Sequence, residues 1–152
     1  MKKEVFFKKS YLLFGLLMVL LTSCEIHIDD NSDHVHDNVS GTWTFDQVLL
    51  DYGNNTVNIS ADYYDYKLDL YTDGFARLKD RNTGQALTGS WEVYLDSGHG
   101  SQSDYHFELH LSDSFSGEQF DINGFNFDIS GSFMYFDEEY DGDYYAYRLQ
   151  RY

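Results

Sequence analysis

Tyr64-Asp65-Tyr66-Lys67-Leu68-Asp69-Leu70 alternates apolar and charged side chains, and Thr72-Asp73-Gly74 follows it with a turn signal. A period of two is the signature of a half-buried strand, so Tyr64, Tyr66, Leu68 and Leu70 are expected on one face and Asp65, Lys67 and Asp69 on the other. The pattern continues outward from there. Phe75 begins a second strand that ends at the Asn82-Thr83-Gly84 turn, after which Leu87, Gly89, Trp91, Val93 and Leu95 alternate with Ser90, Glu92 and Tyr94. Residues 96–104, with Gly98 and Gly100, read as a mobile loop. Tyr105, Phe107, Leu109 and Leu111 mark the next strand. Phe120 and Ile122 lie on even positions but Phe125, Phe127 and Ile129 on odd ones, which predicts a bulge or tight turn at Asn123-Gly124. Residues 132–140 and 144–152 read as a hairpin about Asp141-Gly142.

With an opening strand over 41–50 this makes about eight strands in sequential hairpins, and no window holds a helical period for more than a turn. The expected fold is therefore all-β, an antiparallel up-and-down meander closed into a barrel, which removes the exposed edges. A β-sandwich is the alternative, because the same alternation serves two packed sheets.

Composition narrows the function. The chain has 152 residues, 10 Lys and Arg against 26 Asp and Glu, one cysteine and no proline. That length suits one domain. Lys2, Lys3, Lys8 and Lys9 sit with Glu4 in the first nine residues; without them, 6 basic residues face 25 acidic ones, a formal charge of −19. Such a surface repels phosphates, so nucleic acid is excluded as a partner. One cysteine makes no internal disulfide, and 42% hydrophobic residues with 18% aromatics suffice for a core.

The basic start precedes an apolar run over 11–21, about half the roughly 20 residues needed to cross a bilayer. It is expected to be the helical core of a signal peptide. The run ends in Leu21-Thr22-Ser23-Cys24, which resembles the lipobox of bacterial lipoproteins. The resemblance implies a signal peptide over 1–23, cleavage before Cys24 and a covalent lipid on its sulfur, hence attachment to the outer membrane on its periplasmic or surface-exposed face. Residues 24–38 then form a tether. Its stretch 25–38 holds five acids and three histidines but no aromatic, so it has little to bury and is expected to be disordered. Metal capture by His34 and His36 with Asp33 and Asp37 is a second use for it, weaker because a flexible run must be ordered around the ion.

Gly41-Thr42-Trp43 at the start of the meander resembles the Gly-X-Trp signature of lipocalins. Its order with Thr72-Asp73-Gly74-Phe75 and Gly89-Ser90-Trp91-Glu92-Val93 is similar to the small lipocalin-like domains of bacterial lipoproteins, over residues 39–152. The Thr-Asp-Tyr triplet of the kernel lipocalins is absent, and no helix follows the last strand. The resemblance implies a basic residue packed over the signature tryptophan, either Arg148 or Arg151, and a barrel holding a small apolar ligand without catalysis. Tyr64, Tyr66, Trp91 and Phe107 are the candidate ligand walls. A structural or protein-interaction envelope lipoprotein with a filled barrel is the alternative; Gly89 is the one small inward residue that leaves room.

No nucleophile elbow, phosphate loop or His-Glu-X-X-His motif is present, so no catalytic residue, metal ligand or cofactor beyond the lipid is expected. His106, Glu108 and His110 share one strand face, but the two imidazoles lie roughly 13 Å apart along a strand, too far for one ion. They read as a solvated outer stripe. Asp137, Glu138, Glu139, Asp141 and Asp143 read as a charged surface hairpin.

Overall fold

The structure, a computed structural model, describes residues 32–53, 55–96 and 104–152. The expected signal peptide, Cys24 and the expected loop after residue 96 lie outside the described residues. The chain divides after Asp30, and every described residue belongs to the unit Asn31–Tyr152.

A helix, α1 (Ser32–Val39), precedes nine strands: β1 (Gly41–Tyr52), β2 (Asn55–Asn58), β3 (Tyr66–Leu70), β4 (Phe75–Asp80), β5 (Ala86–Asp96), β6 (Asp104–Ser112), β7 (Gln119–Ser130), β8 (Phe133–Tyr140) and β9 (Asp143–Arg151). A short 3₁₀ helix, Ser60–Asp62, lies between β2 and β3. Strands β3 to β9 pair in order, and β1 pairs with both β3 and β9, so eight antiparallel strands close an up-and-down barrel. Closure through Trp43 opposite Arg151 and Asp51 opposite Tyr144 rules out the sandwich. Strand β2 stands apart, paired only with the end of β1.

Alternation fills the interior as expected. Leu68 and Leu70, Trp91 and Val93, and Phe107, Leu109 and Leu111 are buried together with Trp43, Met134, Phe136 and Leu149. The hairpin at Asp141-Gly142 is a two-residue turn between Tyr140 and Asp143, with both turn residues at positive φ. The phase break in β7 exists but lies beyond the expected Asn123-Gly124. Register shifts between Phe125 and Asp128, where Asn126 adopts φ 52°. Gly124 still faces inward against Phe136, and after the bulge Phe127 turns in to stack on Phe107 at 5.7 Å. Gly89 leaves no void. A β-carbon there would lie 1.9 Å from the His110 carbonyl oxygen, so the neighbouring backbone occupies the space a side chain would need.

One end of the barrel is sealed by α1, which corrects the expectation of disorder up to residue 38. Val35 and Val39, one helical turn apart, pack on the core, and His36 stacks on Trp91 at 4.6 Å. The last four helix carbonyls need partners, and all four find one. His36 O accepts from the Ser40 amide, Asp37 O from the Ser40 hydroxyl, Asn38 O from the Arg151 guanidinium, and Val39 O from the Trp43 indole N–H at 2.8 Å. Arg151, not Arg148, is the basic residue over the signature tryptophan, 4.4 Å from the ring centre; Arg148 instead pairs with Asp46 outside. The arrangement also explains Gly41. A β-carbon there would come within 2.7 Å of Arg151 Nη1, so any larger residue pushes the guanidinium off Trp43.

Candidate functional site

The opposite end of the barrel is not filled. A cavity of about 320 Å³ opens there, at the small end of the range for ligand pockets. The first residues of β3, β5, β7 and β9 supply Tyr66, Leu87, Phe120 and Tyr145 to its wall, and Phe45 and Leu78 come from β1 and β4. Asp62, Glu118 and Gln119 complete the rim.

Over this opening lies a flap that alternation does not announce. Strand β1 runs on to Tyr52, β2 folds back on it, and the chain re-enters the barrel where the Ile59 amide donates to Val48 O at 3.0 Å and Ser60 Oγ accepts from the Val48 amide at 2.8 Å. The 3₁₀ turn then delivers Ile59, Asp62 and Tyr63 to the cavity. Residues 55–58 are all exposed, so no buried face exists there to produce a period. The turn also resets the phase of the following strand, which starts at Tyr66 and not at Tyr64.

Of the four proposed wall residues, then, Tyr66 alone lines the cavity. Tyr64 points outward, 69% exposed, beneath the Arg81 guanidinium. Trp91 and Phe107 lie in the solid part of the interior, with the Trp91 indole N–H donating to Tyr71 O at 2.9 Å. Tyr63 takes the place expected for Tyr64: its ring packs 5.2 Å from Phe45 and edge-on to Tyr147 at 6.1 Å.

Behind the cavity wall lies a carboxylate. Glu138 shares its parity with Met134 and Phe136 and so faces inward, 6% exposed, the one buried charged residue among the described residues. Its Oε1 accepts from the Asn123 amide at 3.0 Å and its Oε2 from the Tyr147 hydroxyl at 3.1 Å. No ion pair among the described residues includes it. Burial pushes the Tyr147 phenol well above the usual tyrosine range, reinforced by Tyr63 and Glu138. Burial likewise raises Tyr63, against the opposing pull of its interaction with Tyr147. Both therefore stay neutral near pH 7, which keeps a proton available for the Glu138 carboxylate.

The lining thus offers aromatic rings and two carboxylates, with no lysine, arginine, histidine, serine or cysteine among its described residues. On the outer wall, His110 contacts Asp121 at 3.1 Å and Glu108 at 3.7 Å, while the Tyr94 hydroxyl donates to Glu108 at 2.7 Å. No group of three metal-ligating side chains forms among the described residues. No helix among them is long and apolar enough to cross a membrane.

No protein-family model, curated protein or solved structure matches the chain. A functional reading therefore rests on its own residues and geometry.

Proposed function

We propose that the protein is a lipid-anchored, lipocalin-like lipoprotein of the cell envelope that holds a small, largely apolar ligand in the open end of its barrel and performs no catalysis on it. The observation that supports this is the cavity of about 320 Å³ walled by Tyr63, Tyr66, Phe120 and Tyr145 at the end away from α1. Apolar walls with a few polar groups at the mouth are what small-molecule sites generally present. The leader and Cys24 support the anchor, and with it the proposed location at the outer membrane. Native mass spectrometry of the full chain purified from cells tests the ligand: a retained small molecule is expected, displaced when Leu87→Trp fills the cavity. Fatty-acid labelling of wild type and Cys24→Ala tests the anchor, and label persisting in the variant would remove the localisation.

The second reading, an envelope protein that binds other proteins through a packed barrel, draws on the solid half of the interior, where Trp43, Phe107 and Phe136 are fully buried. Mass spectrometry that finds the purified barrel empty and unresponsive to added ligands would favour it.

A further inference from the structure

Resting on the reading of the open end as a ligand site, we infer that its ligand is a small organic cation, an amine that is protonated at neutral pH. Three features of the open end point the same way. The walls present the rings of Tyr63, Tyr66, Phe120 and Tyr145 around one small space, and the faces of aromatic rings attract cations within about 6 Å of their centres. The charged side chains at the mouth, Asp62 and Glu118, are both acidic. The adjoining smaller cavity shares Tyr66, Leu78, Leu87 and Glu118 and adds Asp80 and Asp113, again without a basic residue among those described.

The two acids that the smaller cavity adds are held in their charged form. Asp80 is held below the usual carboxylate range by hydrogen bonds from Thr83 and Asn82, and Asp113 by those from Phe115 and Ser116. Arg81, the basic residue of the turn after β4, gives its guanidinium to the Tyr64 carbonyl and stacks over that ring, outside the cavity. Behind the wall, the Glu138 carboxylate bears on both Tyr63 and Tyr145. A net charge of −16 gives the molecule as a whole the same sign, which favours the approach of cations. A fatty acid seated here would set its carboxylate against Asp62 and Glu118, or bury it beside Glu138, with no basic side chain among the described residues in either place.

The test uses three compounds that share one ring and differ in charge: tryptamine, 3-ethylindole and indole-3-acetate, titrated calorimetrically into the full chain in neutral detergent. Tryptamine is expected to bind about tenfold more tightly than 3-ethylindole, and indole-3-acetate most weakly. Asp62→Asn/Glu118→Gln, checked for an intact thermal transition, should bring tryptamine down to the affinity of the neutral compound. If 3-ethylindole or indole-3-acetate binds wild type as tightly as tryptamine, the cation inference fails while the ligand site stands. Binding by none of the three removes both.

Discussion

The two ends of this barrel are built from the same residue types and come out differently. At the α1 end the large aromatics are pinned: each indole N–H donates to a backbone carbonyl, Arg151 covers Trp43, and His36 covers Trp91. At the other end Tyr63, Tyr66 and Tyr145 stand around space that no side chain enters. Inward bulk therefore does not decide whether a barrel is filled. What decides it is how completely a further element fills the end: α1 sets Val35 and Val39 on the core and His36 on Trp91, whereas Ile59 and Tyr63, flanking the 3₁₀ turn, also pack on the core but leave a void beside them.

The largest effect that contrast predicts is at Trp91, 2% exposed. Trp91→Ala should cost roughly 3–5 kcal/mol, through lost burial and the cavity left behind, against the roughly 5–15 kcal/mol that holds a domain together. Urea unfolding of the variant measures it. A loss below about 1 kcal/mol would mean that the sealed end is as loosely packed as the open one.

Much of this was legible beforehand. Strand order, turns and most of the inward set from Leu68 to Leu111 follow from parity, because a closed meander with one wet face obeys a period of two; Leu95, in step with Trp91 and Val93, is instead exposed, where β5 runs on past its pairing with β4. The ligand walls were less legible, since the 3₁₀ turn at Ser60–Asp62 shifts the phase and exchanges Tyr64 for Tyr63. Parity extended backward from Leu68 had no means of registering that shift. Glu138 was readable, since it falls in step with Met134 and Phe136, but its acidic neighbours made the segment look like surface. Helix α1 was hidden by composition: only Val35 and Val39 are apolar, and its carbonyls find their partners in Ser40, Trp43 and Arg151, the last of these over a hundred positions away in sequence.

Between the two ends sits the Tyr147–Glu138 pair, and it sets the next effect. Tyr147→Phe leaves the buried Oε2 without its donor and should cost about 1–3 kcal/mol. The same phenols make the barrel alkali-sensitive. Their folded values are raised, Tyr144 to about 12 and Tyr63 and Tyr147 by burial, while an unfolded tyrosine ionises near pH 10. Stability from these groups is therefore full below about pH 10 and is lost as pH rises through the folded values. Tyr63→Phe and Tyr147→Phe should each flatten that alkaline decline, and an unchanged profile would mean that these phenols ionise freely in the folded state.

A smaller effect tests the lid. His36→Ala removes the ring stacked on Trp91 and should cost about 0.5–1.5 kcal/mol, a few degrees in the unfolding midpoint. No change would mean that α1 rests on the barrel without sealing it.

A similarly small stability effect is expected at the open end, though a much larger side chain is removed, and there the contrast is sharpest. Phe120 is a large aromatic on the inward face of β7, as Trp91 is on that of β5, yet it is only half-buried and already borders empty space. Phe120→Ala therefore enlarges an existing void instead of creating one, so little packing is lost and water already reaches the site. The cost should be about 1 kcal/mol, set by the modest apolar area returned to solvent. Tryptamine affinity should fall at the same time, since one of the five rings around the cavity is gone. Paired unfolding curves for Phe120→Ala and Trp91→Ala decide the matter: costs of equal size would show that both ends are core, whereas a mild loss of stability joined to a clear loss of binding at Phe120 would show that one fold spends the same residue type on packing at one end and on recognition at the other.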